Sequence, residues 1–268
     1  FLLTQAPPCL HIAIATREDP PLGLARLRAR DQLTDLRMND LRFTPAEARE
    51  FLNRTMGLEL GDREIAALEA RTEGWIAGLQ MAALSLRGRS DSATFIRAFA
   101  GSHRFVLDYL VEEVLQRMPA PTRAFLLQCA ILDRLTAPLC DAVTGGSDSA
   151  ARLLQLEREN LFIVPLDEHR QWFRYHHLFA DVLRMHLQEQ DQSPYALHRR
   201  ASLWYETEDM AEDAIRHALA AGDRERAARL LEDAWPVMHV QSATGVPGEW
   251  IDALPADTIS ASAVLSVY

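Results

Sequence analysis

Two short stretches carry residue types that bind phosphate. LHIAIATRED, residues 10–19, is a run of small and β-branched residues that stops at Thr16-Arg17-Glu18-Asp19. A guanidinium fixed at the end of a rigid strand makes charge-assisted bonds to a phosphate oxygen. The same position suits an arginine that only pairs with Glu18, Asp19 or another carboxylate, and spacing does not separate the two readings. The second stretch, FRYHHLFADVLR, sets His176 beside His177. A histidine near its ordinary pKa is a suitable donor to phosphate. As a metal site the pair lacks further ligands at regular spacing, so no metal ligand is assigned.

Much other chemistry is missing. No lysine occurs, so all 28 cations are arginines. That removes Schiff-base chemistry and the G-x-x-x-x-G-K-[ST] phosphate loop. There is no G-x-S-x-G elbow, no H-E-x-x-H and no G-x-G-x-x-G after the strand. Asp108, Glu112 and Glu113 fall on the solvated face of an amphipathic helix, so no catalytic residue is assigned and this chain is not expected to be an enzyme. The net charge of −10 opposes non-specific DNA binding, which depends on cations releasing counterions. No apolar run of ~18 residues offers a membrane span, and no signal peptide opens the chain. The three cysteines (Cys9, Cys129, Cys140) have no paired spacing and read as buried thiols of a cytoplasmic protein.

The elements that must position these residues change character along the chain. Residues 10–16 predict one strand and Leu33–Leu41 a second, and edges this apolar need partners, expected upstream of Phe1. From Thr44 the period becomes helical. Thr44-Pro45-Ala46-Glu47 is a capping box with proline at the first helical position. Ala48, Phe51, Leu52 and Met56 share the face that follows, up to Gly57. Asp62 is read as the cap of a second helix, and Gly74-Trp75 opens a third with Leu79, Ala82, Ala83 and Leu86 on its inner face. Leu107, Leu110, Val111, Val114, Leu115 and Met118 predict an amphipathic helix stopped by Pro119.

Helices are expected at about 121–130, 137–144 and 148–159. LFIVPLD, a three-residue turn EHR and QWFRYHH then read as a β-hairpin, before helical period returns over Leu178–Leu187. Short helices followed by a hairpin is the plan of a winged helix. The tail predicts three helices with breaks near Glu208-Asp209 and Gly222-Asp223. Small residues at Ala201, Ala214, Ala218, Ala221 and Ala227 suit close stacking, as in tetratricopeptide-like arrays. A last helical segment follows in PGEWIDALPADTISASAVLSVY, and both ends suggest a piece of a longer protein.

These residues carry a resemblance. IAIATREDPPLGLARLRARDQLTDLR, LRFTPAEAREFLN, EARTEGWIAGLQMAALSLRG, FVLDYLVEEVL, FLLQCAILDRL, LCDAVTG, LERENLFIVPLD and FRYHHLFADVLR, in this order, resemble the MalT-type transcriptional activators. These are large LuxR-family regulators of the signal-transduction ATPase class with numerous domains. The resemblance implies a mainly α chain. It would comprise the C-terminal edge of a P-loop NTPase α/β core (1–42), a helical lid (43–100), a winged helix (101–190) and the start of a TPR-like helical repeat, the sensor (191–268). The phosphate loop would precede Phe1, and the DNA-binding helix-turn-helix would follow Tyr268.

The resemblance also implies site residues. Thr16 and Arg17 match the first nucleotide sensor, whose arginine faces the γ-phosphate. Gly74 matches a lid motif near the adenine, with Ile76 where many relatives have proline. His176 matches the histidine that contacts the ADP β-phosphate, with Tyr175 and His177 where that motif has methionine and a helix-capping aspartate. ATP or ADP with Mg²⁺ would bind the full-length protein, and no tight binding is expected of this chain alone. Implied partners are a small-molecule or protein inducer on the helical repeat, further copies in the active state, and DNA through the absent helix-turn-helix, with no membrane. The function implied is regulation of transcription by nucleotide state and inducer. The alternative is a helical protein- or ligand-binding module with a vestigial nucleotide site.

Overall fold

The computed structural model describes residues 10–16, 19–38, 40–87, 91–99, 104–189, 193–241, 248–262 and 265, with the side chains at 97–98, 104, 236–241 and 261 left aside. Among the described residues neither expected N-terminal strand is present. Leu10, Ile12 and Ile14 are exposed in a stretch with no ladder partner, and a strand without a neighbour has nothing to bond its amides. Over Leu33–Leu41 the described residues make side-chain bonds instead: Arg28 to Asp35 (2.9 Å from Nε) and Arg37 to Asp19 (2.6 Å). Among the described residues before Pro45, α1 (Leu24–Arg28) is the one regular element.

The next unit is α2 (Pro45–Arg49), α3 (Asp62–Thr72) and α4 (Ile76–Leu86). The capping box is present, with Glu47 N donating to Thr44 Oγ1 (3.3 Å) and Thr44 N to Glu47 Oε2 (2.8 Å). After α2 the backbone widens to π geometry over Glu50–Thr55. The cap of α3 is Gly61 rather than Asp62: Glu64 reaches back to the Gly61 amide (2.9 Å), and Asp62 is already helical. On α4, Leu79, Ala82, Ala83 and Leu86 are buried as the periodicity predicts.

α5 (Ser92–Ala98) and α6 (Arg104–Tyr109) follow, and α6 runs into a second π segment, Leu110–Leu115. That turn alters the buried stripe. Val106, Leu110, Leu115 and Met118 are buried, with a step of five from Leu110 to Leu115, while Leu107, Val111 and Val114 pack at its margin.

The winged helix is built from α7 (Ala120–Gln128, extended by a 3₁₀ turn Cys129–Ile131), α8 (Ala137–Thr144), α9 (Ser149–Arg158), β1 (Ile163–Pro165), β2 (Phe173–Tyr175) and α10 (His177–Gln188). β1 and β2 are antiparallel, with Ile163 opposite Tyr175 and Pro165 opposite Phe173. Leu135 bridges to Phe173 on the far edge of β2. The connection is longer than the expected three residues. Asp167 accepts from Gln171 N (3.2 Å) and Trp172 N (2.6 Å), so its carboxylate closes a wider loop and shortens both strands.

The tail comprises α11 (Pro194–Thr207), α12 (Ala211–Ala220) and α13 (Arg224–Gln241), then α14 (Gly248–Asp252) and α15 (Ala256–Ala261), divided by Pro255. α12 packs on both α11 and α13, while α11 also rests on α8. Ala201, Ala214, Ala218 and Ala227 are fully buried between these helices, whereas Ala221 is half-buried. Apolar side chains from α2–α4, the winged helix and the tail form one continuous core.

Candidate functional site

The sequence-predicted residues near the nucleotide motifs converge where α3 ends and α10 begins. α3 stops because Glu73 and Gly74 both adopt left-handed backbone, with φ of 50° and 70°. For glutamate that conformation costs on the order of 1 kcal/mol. Its return is position: the carboxylate is turned toward β2 and α10.

Arg174 grips it with two parallel bonds, Nη1 to Oε1 at 2.7 Å and Nη2 to Oε2 at 2.8 Å. Arg42 stands 3.5 Å away, and the His177 amide donates to Oε1 at 3.0 Å. His177 Nδ1 is 3.3 Å from the same oxygen. Burial pushes the Glu73 carboxyl up. The Arg174 bonds, the neighbouring His176 and the His177 amide outweigh it and hold the pKa at about 2. The first free amide of α10 is thus satisfied by a carboxylate from another unit. Glu73 supplies the carboxylate oxygen that caps the start of α10.

His176, the residue before α10, is 3% exposed. Its ring Nε2 lies 2.8 Å from the Thr72 carbonyl oxygen, the last turn of α3. Nδ1 is buried and has no hydrogen-bond partner. Trp75 and Phe162 flank the ring edge-on, at centroid distances of 6.0 and 5.8 Å. Burial lowers the pKa; Glu73 and the Thr72 carbonyl oppose that, while Arg42 and His177 add to it. The imidazole is neutral in this environment.

Gly74 has a backbone reason to be glycine. A Cβ there would lie 2.5 Å from the Phe43 carbonyl oxygen, and Phe43 N donates to Gly74 O at 2.9 Å. The structure therefore brings Gly74 and His176 to one junction, through Thr72 and Glu73. Thr16 sits in the exposed N-terminal stretch, and Arg17 lies outside the described residues. Sequence reading missed Glu73 and Arg174. A usable signal existed: a glutamate at a helix C-terminus opposes the helix dipole and needs a cation elsewhere.

A second charged cluster joins the winged helix to the tail. Asp133, after the 3₁₀ turn, accepts from Arg184 on α10 (2.8 Å) and from Arg216 on α12 (3.1 Å). Deeper in the tail, His198 and His217 meet Nδ1 to Nδ1 at 2.8 Å, with Tyr205 stacked on His217. Burial first, then nearby arginines, lower these histidines to about 4 and about 3; His198 also lowers His217. Cys129 and Cys140 are free and buried, and Cys9 lies outside the described residues. Among the described residues no group of three or more His, Cys, Asp or Glu is placed to hold a metal ion, and no helix is long and apolar enough to cross a membrane.

Residues 111–195 match the MalT winged helix domain. The HTH-type transcriptional regulator MalT of Serratia proteamaculans (strain 568) is 36% identical over 263 residues, covering 97% of this chain and 29% of that protein. The MalT of Yersinia enterocolitica is 39% identical over 227 residues, covering 83% and 25%. The serine/threonine-protein kinase PknK of Mycobacterium tuberculosis (strain ATCC 25618 / H37Rv) is 36% identical over 233 residues, covering 87% and 21%. The chain thus spans less than a third of the length of these relatives. With a MalT winged helix domain at residues 111–195 and MalT regulators alignable along most of its length, the chain is a MalT-like region.

Proposed function

We propose that this chain is the switch region of a longer, cytoplasmic, ATP-dependent transcriptional activator. In this reading nucleotide state and an inducer control the exposure of a DNA-binding domain outside residues 1–268. The observation that carries it is the orphaned Nδ1 of His176 at the junction of α3 and α10. A buried polar atom without a partner costs about 1–3 kcal/mol, and a phosphate oxygen is a partner of suitable chemistry. The residues present therefore fit a nucleotide phosphate on one side. The phosphate loop, its lysine and the Mg²⁺ ligands would be supplied by the rest of the protein.

The bound nucleotide supplies a change in charge, because the γ-phosphate is present in ATP and absent in ADP. Thr16 and Arg17 are the residues assigned to that phosphate by resemblance, and His176 to the β-phosphate. The α11–α15 helices would take the inducer, and further copies would join in the active state. The likeness to proteins named as a transcriptional regulator and as a kinase supports a control region rather than an output domain, since this one chain is similar to parts of both. A second reading, a helical binding module with a vestigial nucleotide site, is favoured by the seal of Trp75 and Phe162 around His176.

Nucleotide affinities of the full-length protein separate the two. His176→Ala is expected to weaken ADP binding and raise inducer-independent activity. Arg17→Ala is expected to weaken ATP instead, each by roughly ten- to a hundredfold for one charge-assisted bond. Unchanged nucleotide preference and basal activity in both folded variants would leave the binding module as the function.

A further inference from the structure

We infer that His176 meets the nucleotide phosphate as an imidazolium, so that ADP binding draws about one proton onto Nδ1. The inference rests on the nucleotide reading and adds the protonation state of the ring. A neutral imidazole carries one hydrogen. Thr72 O, 2.8 Å from Nε2, is only an acceptor, so the hydrogen sits on Nε2. Nδ1 then presents a bare lone pair, buried and without a partner. A lone pair facing a phosphate oxygen repels it. Reversing the ring would offer a hydrogen to phosphate but turn a lone pair on the Thr72 carbonyl, breaking the tie between α3 and the winged helix. Protonation alone satisfies both ends of the ring.

The surroundings decide the balance. From the end of α3, the ionised Glu73 favours the cation; from the segment before α2, Arg42 opposes it, as does His177 at the start of α10. Arg174 on β2 is already neutralised by its two bonds to Glu73. Trp75 and Phe162 exclude water, which keeps the ring neutral while no anion is near. A phosphate placed against Nδ1 supplies the missing charge. The folded, ligand-free ring titrates below the ordinary histidine value and the phosphate-bound ring above it. ADP affinity is therefore strongest in mild acid and falls ~tenfold per pH unit between those two values.

The test is calorimetry of ADP binding to the full-length protein at about pH 8, where free ADP is fully ionised, in two buffers of different ionisation enthalpy. Wild type is expected to take up more protons per ADP than His176→Gln, whose side-chain amide still donates to Thr72 O but does not titrate. Nitrogen-15 spectra of the wild-type histidines supply a second readout. His176 should show one protonated nitrogen, Nε2, without ADP, and two with it. ADP binding with equal proton uptake in both proteins, or a free ring protonated at Nδ1, would overturn the inference while leaving nucleotide binding intact. Failure of ADP to bind either protein would remove the nucleotide reading and the inference together.

Discussion

Glu73 and Arg174 lie 101 residues apart in sequence and meet through two parallel bonds of 2.7 and 2.8 Å. Their side chains are 7% and 25% exposed, so the pair is largely removed from water. Truncating either partner strands a charge. Glu73→Ala is expected to destabilise the chain by about 3 kcal/mol, and Arg174→Ala by somewhat less, because Arg42 and the His177 amide still face the carboxylate. Urea unfolding measures this; a Glu73→Ala midpoint equal to wild type would show that the pair contributes nothing.

Acid should loosen the tail before it discharges Glu73. His198 and His217 are held near 4 and 3 when folded, below the ordinary 6.5, so their stabilising contribution is complete above pH 6.5 and is lost as pH falls toward those values. The linked Nδ1 atoms share one proton, and a second must break the pair. Moving from pH 7 to pH 5 is expected to cost α11–α13 on the order of 2 kcal/mol. Glu73, lowered from 4.5 to about 2, contributes fully above pH 4.5 and is lost only as pH approaches 2. Hydrogen exchange between about pH 7 and pH 5 should expose tail amides; tail protection that stays unchanged over that range contradicts the assignment.

Gly74→Ala is expected to destabilise by at least ~2 kcal/mol. The new methyl would meet the Phe43 carbonyl oxygen at 2.5 Å, in a backbone region that L-residues avoid. Gly57→Ala, at φ 73° but with open space around its Cβ position, isolates the backbone cost and should lose less. Equal thermal shifts for the two would mean that the Phe43 contact does not matter.

The chain by itself is expected to turn over no ATP, since no lysine or phosphate loop is present to stabilise the transferring phosphate. It should also bind duplex DNA more weakly than ~10⁻⁷ M at physiological salt, because its net charge is −10. Lysine-independent hydrolysis surviving repurification, or a tight sequence-specific titration, would each revise the assignment.

Helices were legible wherever period and punctuation agreed. Thr44 and Glu47 announce their capping box, and Pro119, Gly145 and the Glu208-Asp209 break delimit elements to within a residue or two. The π turn at Leu110–Leu115 is not legible, because period 3.6 counts Val111 and Val114 as inner. The N-terminal strands were read from composition, yet a strand is a relation between two segments, and residues 10–16 show only one side of it. Of the site, His176 was visible as a residue type. Its hold on Thr72, and the role of Glu73, depend on a contact across more than a hundred positions that no local pattern encodes.

α10 ties both neighbours to one rod. At its first residue the His177 amide holds Glu73 of the α2–α4 unit, and at Arg184 it holds Asp133, which also receives Arg216 from the tail. About 10 Å of continuous helix separates the two attachments. A helix this short does not stretch or twist independently at its ends, so a pull applied at Arg216 and a release at Glu73 act on the same lever arm. The winged helix in this chain thus presents one short helix as a shared attachment for both of its neighbours.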